Sequence, residues 1–438
     1  MSITPRTRAA LAAGGLFTAS ALLLAGCTAG GAADASGVTT VTVMYATSEF
    51  TAEQVEAFEE ENPDIRIEFV EFDTNRLNAM LTAGDPPDLV RGKPSANLFA
   101  RELATPLDDY IASSDVIKED DLLPVNDLWR WNGTERGSGS IYGLVKDFSP
   151  DTTFWQNEAL FEQAGVEPLS LTEPASWDDI LTKGQALKDA GIELPIGIEW
   201  QWGIGGLLQE MVEQQGAHIF SEDLTEADLT SPEAIRAIQW LIDYGKLGIG
   251  PTSLNPLAAG QDGPAFTSGE MAASMDGYWF AGQFTAEEAA NVAATASLAP
   301  APTWGKRISA VNGGVGAWIP EASDDKDAAW RVMEYFIGGQ PAIDRAKSGW
   351  GLPALQSLWK YLPTEQPYQK QAAELAKSEV EFVVPLQDSP YISIDQWNPE
   401  LDKGVQSGIL GEKTAKEIGQ EVEDRMNALL AQGKDQLG

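Results

Sequence analysis

The sequence has very little of the residue types that build disulfides and most metal centres. Its 438 residues include one cysteine and one histidine. A single cysteine, Cys27, cannot form a disulfide within the chain or complete a Cys-rich zinc site. The single histidine, His218, excludes the multi-histidine sites of zinc hydrolases, and we expect it in a surface loop.

Several short catalytic and nucleotide-binding motifs are also absent. The chain contains no GxGxxG, no GxxxxGK[ST] and no GxSxG. Dinucleotide enzymes, P-loop NTPases and ordinary serine hydrolases are therefore disfavoured. Together with the shortage of Cys and His, this predicts a protein that uses no cofactor and no metal.

Positively charged residues are also few. Lys and Arg number 29 against 66 Asp and Glu, which gives a formal charge of −37. Nucleic-acid binding and polybasic membrane binding both need clustered Lys and Arg, so neither is expected. What the chain has is a globular composition, with 43% hydrophobic residues and 14 Trp against 9 Tyr.

The N-terminus has the pattern of a bacterial export signal. Arg6 and Arg8 precede an apolar stretch over residues 9–24, which is too short for a stable membrane span. Leu24–Cys27 resembles a lipobox, which predicts a signal peptide over 1–26 and lipidation of Cys27 at the outer face of the cell membrane. Small residues then form a tether over 27–37. An ordinary signal cut with an incidental Cys27 is the alternative.

The first part of the mature chain alternates between strand and helix patterns. β-branched residues over 38–45 predict a strand, 51–61 an acidic helix, and 65–72 a second strand. A helix ending at Gly84 and a short strand at Leu89–Val90 follow. This alternation predicts an α/β fold with a parallel sheet and helices on both faces. Further helices are predicted from Ser176, from Ser231, and over 325–337 and 413–430.

Six segments, in order along about 300 residues, are similar to motifs of one family. They are Asn62–Glu68, Ala83–Asp88, Tyr142–Leu144 with Phe154–Asn157, Phe266–Trp279, Asn312–Gly316 and Gly349–Pro353. Together they resemble the extracellular solute-binding lipoproteins of bacterial ABC sugar importers, the family of maltose-binding protein. Val145 departs from the family pattern, which has proline at that place.

The resemblance implies a two-lobed periplasmic-binding-protein-like fold of type II, with the ligand cleft between lobes joined by crossing strands. The N-terminal lobe would comprise residues 38–148 and 307–349. The C-terminal lobe would comprise 152–302 and 353–438. The crossings would lie near 147–151, 302–306 and 350–353.

The function that the resemblance implies is capture of a carbohydrate outside the cell and its delivery to the permease subunits of an ABC transporter. Such a protein is not an enzyme, and we expect a monomer. A secreted glycoside hydrolase remains an alternative, although no carboxylate pair for hydrolysis stands out in the sequence. A polyamine or another non-sugar solute is the other alternative, because acidic residues and Trp faces also attract cations.

Polar residues that follow strands are the first candidates for the ligand site, since ligands of open α/β sheets lie beyond the carboxyl ends of the strands. Ser48 and Glu49 follow the first strand, Arg91 follows the third, and Asp147 flanks a crossing. A carboxylate such as Asp147 can accept two hydrogen bonds from a vicinal diol. The alternatives are a helix cap for Ser48, a solvated surface cation for Arg91 and a turn cap for Asp147.

Tryptophans are the second group of candidates, because an indole covers the apolar face of a sugar ring. Glu199, Trp200 and Trp202 follow an apolar strand over 194–198. By the resemblance, Trp279 and Trp397 match stacking aromatics, while Trp350 and Gly314 lie in matching segments. Four other tryptophans in helical patterns are expected in the core: Trp177, Trp240, Trp330 and Trp359.

Overall fold

The computed structural model describes residues 37–258, 261–311 and 314–437. The predicted signal peptide and Cys27 lie outside the described residues. The strands are, in chain order, β1 Thr39–Tyr45, β2 Ile65–Glu71, β3 Leu89–Gly92, β4 Arg130–Trp131, β5 Ser140–Ile141, β6 Leu144–Val145, β7 Asp147–Phe148, β8 Phe154–Asn157, β9 Leu194–Gly197, β10 Met271–Ser274, β11 Ala296–Ala299, β12 Gly316–Trp318 and β13 Leu352–Pro353.

Helices connect and cover these strands. The α-helices are α1 Ala52–Glu61, α2 Thr74–Ala83, α3 Ala96–Ala100, α4 Asp108–Ser113, α5 Glu158–Ala164, α6 Trp177–Asp189, α7 Gly205–Gln214, α8 Pro232–Leu247, α9 Asp262–Thr267, α10 Ala290–Ala293, α11 Lys326–Gly338, α12 Gln340–Ser348, α13 Pro367–Glu379, α14 Ile394–Ile409 and α15 Ala415–Leu437. Short 3-10 segments include Trp200–Trp202, Tyr278–Thr285 and Val380–Phe382. In the described part of the chain, no helix is long and apolar enough to cross a membrane.

Two sheets form the centres of two lobes. The first sheet has the order β2-β1-β3-β12-β6, and the second has the order β11-β8-β10-β9. We call the first sheet with α1–α4, α11 and α12 the first lobe. The second sheet with α5–α10 and α13–α15 is the second lobe.

Both sheets are mixed, with parallel and antiparallel pairs of strands. β1 runs parallel to β2 and β3, as the strand–helix alternation predicts, and β9 runs parallel to β10. β12 and β8, however, are antiparallel to each of their neighbours. Each of these two strands enters its sheet from the other lobe instead of from a helix of the same lobe, and therefore runs in the opposite direction.

Two crossing segments lie side by side between the lobes. β7 pairs antiparallel with β13, with Leu352 opposite Phe148 and Pro353 opposite Asp147. Asp151 N also donates a hydrogen bond to Ala310 O at 3.0 Å.

The segment between β11 and β12 was expected to cross between the lobes near 302–306, but a residue further along the chain makes the contact with the crossing at 147–151. Residues 302–306 pack on the second lobe, where Thr303 N donates to Ala175 O and Lys306 N donates to Gln214 O, both at 2.9 Å. Trp304 is buried there. The contact with the first crossing is made by Ala310 instead.

Local signals in the sequence place the helix ends as predicted. Ser176 and Asp179 form a reciprocal capping box at the start of α6, and Ser231 caps α8. Gly84 ends α2 with a φ of 75°, in the left-handed region that favours glycine.

The second lobe has a core built around large aromatic side chains. Trp177 and Trp240 are buried with ring centroids 5.2 Å apart, and Trp240 Nε1 donates to Trp177 O at 2.7 Å. Trp330 is likewise buried, in α11. Three of the four expected core tryptophans are therefore in the core. Trp359 is only half-buried, because it lies in a short 3-10 segment, Gln356–Tyr361, instead of in an amphipathic helix.

Candidate ligand-binding site

Three tryptophans that are not in the core lie together. The Trp202 and Trp279 ring centroids are 5.4 Å apart, and Trp279 and Trp350 stack at 5.7 Å with planes 21° apart. Trp202 is 54% exposed and Trp350 is 45% exposed. Large aromatic faces left open to water are unusual on a soluble protein and are typical of binding sites. We call these three residues the tryptophan group.

Glycines hold the tryptophan group in place by letting chains approach closely. Gly277 has a φ of 66°, and a Cβ there would lie 2.4 Å from Ser149 Oγ, which itself accepts a hydrogen bond from Trp279 N at 3.2 Å. A Cβ at Gly282 would lie 2.8 Å from the Trp350 ring. Sequence reasoning noted Gly277 as part of a motif but missed Gly282, which carries no local signal.

A row of charged side chains lies on the first lobe. Arg91 Nη2 and Lys146 Nζ are each 2.7 Å from a carboxylate oxygen of Glu49. Lys146 Nζ is also 3.2 Å from Asp147 Oδ2, and Arg345 Nε is 3.5 Å from the same oxygen. Three of the predicted residues, Glu49, Arg91 and Asp147, are thus brought together, in line with their positions after strands.

Two members of this charged row were not predicted. Lys146 is next to Asp147 in the chain, so the argument that selected Asp147 could have included it. Arg345 comes from α12, almost 200 residues away, and no local pattern marks it. Only the fold brings it to the row.

Opposite charges in the row counteract the effect of burial. Burial by itself raises the pKa of Glu49, but Lys146 and Arg91 outweigh it and hold that pKa below the usual value. Burial lowers the pKa of the Arg345 guanidinium, while Asp147 opposes the shift. Nε and Nη1 of Arg345 have no hydrogen-bond partner. The row therefore combines carboxylate acceptors with two buried donor atoms of Arg345 that have no hydrogen-bond partner.

The crossing strands connect the charged row to the tryptophan group. A Cβ at Gly351, the residue after Trp350, would lie 3.0 Å from the Asp147 Cβ. Ser149, two residues after Asp147, accepts the hydrogen bond from Trp279 N. Polar groups of one lobe and indole faces of the other thus meet at the crossing.

Buried carboxyl groups lie at the strand ends of the second lobe. The Glu199 backbone N donates to Asp262 Oδ2 at 3.0 Å, and the Glu199 and Asp276 side chains share a hydrogen bond. Glu199 is only 4% exposed, and Gln201 Nε2 donates to its Oε2. Glu199, predicted to hold a ligand hydroxyl, is therefore covered by a neighbouring amide.

These carboxyl groups hold protons more tightly than usual. Burial, with the neighbouring Asp276 carboxyl, raises the pKa of Glu199 to about 11. Burial also raises the pKa of Asp276, and it raises the pKa of Asp262 to about 7. Adjacent carboxyl groups in a dry environment cannot all ionise, so the cluster retains protons at neutral pH. Across the three described ranges, no group of His, Cys, Asp or Glu side chains is arranged to hold a metal ion.

Two predicted tryptophans are placed differently from the expectation that they face a cleft. Trp200 is 4% exposed, stacks on Tyr244 and donates from Nε1 to Asp402 Oδ1 at 2.7 Å. Trp397 is 2% exposed and packs where Gly205 leaves room at the start of α7. Both indoles lie in the core of the second lobe because the amphipathic α14 and the turn after β9 direct them inward.

The remaining two predicted residues have different surroundings. Ser48 is exposed beside Glu49. Gly314 has a φ of 43°, its carbonyl accepts a hydrogen bond from Trp129 Nε1 at 3.2 Å, and a Cβ there would lie 3.1 Å from Leu128. Gly314 thus has a packing role in the first lobe.

The sequence matches one protein-family model over residues 44–339, which is more than half of the chain. That model describes the bacterial extracellular solute-binding proteins. The chain belongs to this family. The match includes the charged row up to Asp147 and the second-lobe residues through Trp279, whereas Trp350 and Trp397 follow it. Among curated proteins, no sequence matches this chain significantly.

Solved structures of solute-binding proteins share the fold. An ABC substrate-binding protein of Listeria monocytogenes in complex with cycloalternan has a TM-score of 0.72 at 20% identity, covering 90% of this chain and 99% of that one. A solute-binding protein of Thermotoga lettingae bound to α-D-tagatose has a TM-score of 0.71 at 20% identity, covering 89% and 99%. The acarbose-binding GacH receptor of Streptomyces glaucescens has a TM-score of 0.69 at 19% identity, covering 90% of this chain and 98% of that one. At this identity the likeness establishes the fold.

Membership of the solute-binding family decides against the hydrolase alternative. The family consists of binding proteins and not of catalysts. In this solute-binding protein, the carboxyl groups are accordingly interpreted as hydrogen-bonding groups and not as an acid and a nucleophile.

Proposed function

We propose that this solute-binding protein captures a mono- or oligosaccharide between its lobes and passes it to the permease of an ABC transporter. The observation that carries the proposal is the meeting of the tryptophan group with the charged row at the crossing strands. An indole face removes the C–H face of a sugar from water, and carboxylates and guanidinium groups bind its hydroxyls. The sugar ligands of the structural relatives support the same solute class.

In this proposal each group has a distinct role. Trp279 covers a ring face, with Trp202 and Trp350 on either side of it. Asp147 accepts hydrogen bonds from hydroxyls, while Arg345 and Lys146 pair with the Asp147 carboxylate and orient it. Binding then draws the lobes together about the crossings, which is the hinge closure typical of periplasmic binding proteins.

A polyamine is the second candidate, because the exposed indole faces of the tryptophan group also attract cations. One thermal-shift screen over monosaccharides, oligosaccharides and polyamines separates the two. A ligand that binds only the folded state raises the melting temperature, by mass action. A sugar that raises it supports the proposal, and a response to polyamines alone would replace sugar with a cationic solute.

We further propose that Cys27 is lipidated and anchors the protein to the outer face of the cell membrane. The lipobox-like Leu24–Cys27 and the small-residue tether after it support this. Cys27→Ala should stall processing or release the protein from the membrane fraction, because a membrane anchor requires the acylated sulfur. Fractionation of cells that carry either form checks this. Membrane association of the variant equal to that of the wild type would contradict it.

A further inference from the structure

Residues 383–391 connect the Val380–Phe382 segment to α14 and have no regular secondary structure. This segment, which we call the strap, is held on the second lobe by hydrogen bonds at two of its residues. Gln209 Nε2 of α7 donates to Gln387 O at 2.6 Å, and Ser389 Oγ donates to Leu224 O at 2.8 Å. The strap therefore belongs to the second lobe.

The same strap also contacts the first lobe. Asp388 Oδ2 accepts a hydrogen bond from Ala96 N, the first amide of α3, at 2.7 Å. The same oxygen is 3.2 Å from Arg136 Nε, and Asn97 Nδ2 donates to Pro390 O at 2.8 Å. Side-chain exposure is 11% for Arg136 and 21% for Asp388, so the ion pair is partly shielded from water.

Both anchor points of the strap lie on the ligand side of the sheets. α3 begins four residues after β3, the strand that Arg91 belongs to, and α7 follows the Trp200–Trp202 turn after β9. In open α/β sheets, the carboxyl ends of the strands face the ligand crevice. The strap therefore joins the two lobes on the side of the sheets where a ligand cleft is expected.

We propose that Asp388 is an interlobe latch, a contact that favours the arrangement in which the two lobes lie close together, so that the latch and a bound ligand stabilise the same arrangement. Asp388 is a positioning residue. It belongs neither to the tryptophan group nor to the charged row, and it limits how far the two lobes can separate. Separating the lobes breaks the ion pair with Arg136 and returns the Ala96 amide to water. A partly shielded pair stabilises by a modest amount, so the latch can release without unfolding either lobe. This inference depends on the two-lobed arrangement and not on the identity of the ligand.

The test uses ligand-free protein and compares Asp388→Ala with a matched control. Glu381→Ala removes one exposed carboxylate just before the strap and should behave as the wild type. Asp388→Ala should increase the radius of gyration measured by small-angle scattering. It should also speed hydrogen exchange of the Ala96 amide at least tenfold, because that amide loses its acceptor.

Two further variants separate a latch from a general structural role. Asp388→Asn keeps an oxygen that can accept the Ala96 hydrogen bond but loses the charge, so it should restore part of the exchange protection. Arg136→Gln keeps Asp388 but removes its ion pair, together with the hydrogen bond from Arg136 Nη2 to Leu386 O of the strap, at 3.1 Å. It should also increase the radius of gyration, even where Asp388→Ala fails to fold. A wild-type radius of gyration in folded Asp388→Ala and in Arg136→Gln would overturn the proposal.

Discussion

At the scale of single residues, the tryptophans show how surroundings decide a role. Trp240 lies in the core of the second lobe, with Trp177 O accepting from its indole N–H, while Trp279 is half-buried beside two exposed indoles. Core packing stabilises the fold and an open indole face is available to a ligand. The two residues therefore make a matched pair for mutation.

Trp279→Ala is expected to weaken sugar binding and to leave folding nearly intact. Loss of a central aromatic anchor typically costs about 2 kcal/mol or more of binding free energy, roughly thirtyfold in Kd. Trp240→Ala should instead lower the free energy of unfolding by about 3–5 kcal/mol. Calorimetric titration with a sugar identified in the thermal-shift screen, and melting curves on the same preparations, measure both. Unchanged affinity in folded Trp279→Ala would remove Trp279 from the site.

The buried Asp262 carboxyl gives a prediction about pH. Its pKa is about 7 in the folded protein, because of burial, against an ordinary 3.8. Between these values the folded protein keeps a proton that the unfolded chain has lost. The contribution of Asp262 to stability is thus complete below pH about 4 and is lost as the pH rises through about 7, by up to about 1.4 kcal/mol per pH unit.

Asp262→Asn has no proton to lose and should remove this dependence. We expect the free energy of unfolding of the variant, measured in urea, to increase relative to that of the wild type as the pH is raised from about 4 to about 8. Asp120→Asn, at an exposed position, is the control and should follow the wild-type curve in shape. Parallel curves for Asp262→Asn and the wild type would mean that Asp262 titrates as it does in the unfolded chain.

The sequence singled out those members of the charged row whose position depends on a nearby strand end or crossing. Glu49 and Arg91 were selected because they follow predicted strands, and Asp147 because it flanks a crossing that the resemblance implies. Arg345 could not be found, because only tertiary packing brings α12 to Asp147. Trp397 was chosen by resemblance, and its place in the core depends on which side of α14 faces inward.

At the scale of elements, helix ends were predictable and strand directions were not. A cap such as Ser176 acts through hydrogen bonds with a residue only three positions away, so the local sequence is enough to predict it. The direction of β8 and β12 depends on where the chain enters a sheet after crossing between lobes. That is a long-range property, and the local alternation of strands and helices carries no information about it.

The cap of α6 can be tested by Ser176→Ala. Ser176 Oγ accepts from Asp179 N at 3.0 Å, and the substitution leaves that amide without its partner. Loss of a serine N-cap typically costs about 1 kcal/mol of stability. Urea unfolding measures it, with Ser407→Ala inside α14 as control, which should be neutral or slightly stabilising because alanine favours helix interiors. An equal effect of the two substitutions would contradict the capping role.

At the scale of the whole molecule, the crossings make the two lobes one site. β7 and β13 place Asp147 beside the residue after Trp350, although about 200 residues separate them in the chain. The resemblance implies crossings near 147–151 and 350–353, and β7 and β13 pair at the edges of these segments. The contact with Asp151 is made by Ala310 and not by residues 302–306. The latter pack on the second lobe, where the Trp304 side chain is buried.

The excess of negative charge is also a property of the whole molecule. With 66 acidic and 29 basic residues, like charges repel across the folded surface, which destabilises the compact state. Raising NaCl from about 20 mM to about 200 mM shortens the screening length from about 20 Å to about 7 Å. The partly buried ion pairs of the charged row, such as Arg91 with Glu49, are screened much less than surface charges. Salt should therefore weaken the repulsion more than it weakens the attraction.

The free energy of unfolding is accordingly expected to rise over this range of salt, as measured by urea unfolding at pH 7. KCl should give the same curve as NaCl, because screening depends on ionic strength and not on the identity of the cation. Sucrose at matched osmolality is the control for solvent exclusion and should reproduce little of the increase. Stability that stays constant or falls with salt would mean that local ion pairs, and not the net charge of −37, dominate the electrostatics of folding.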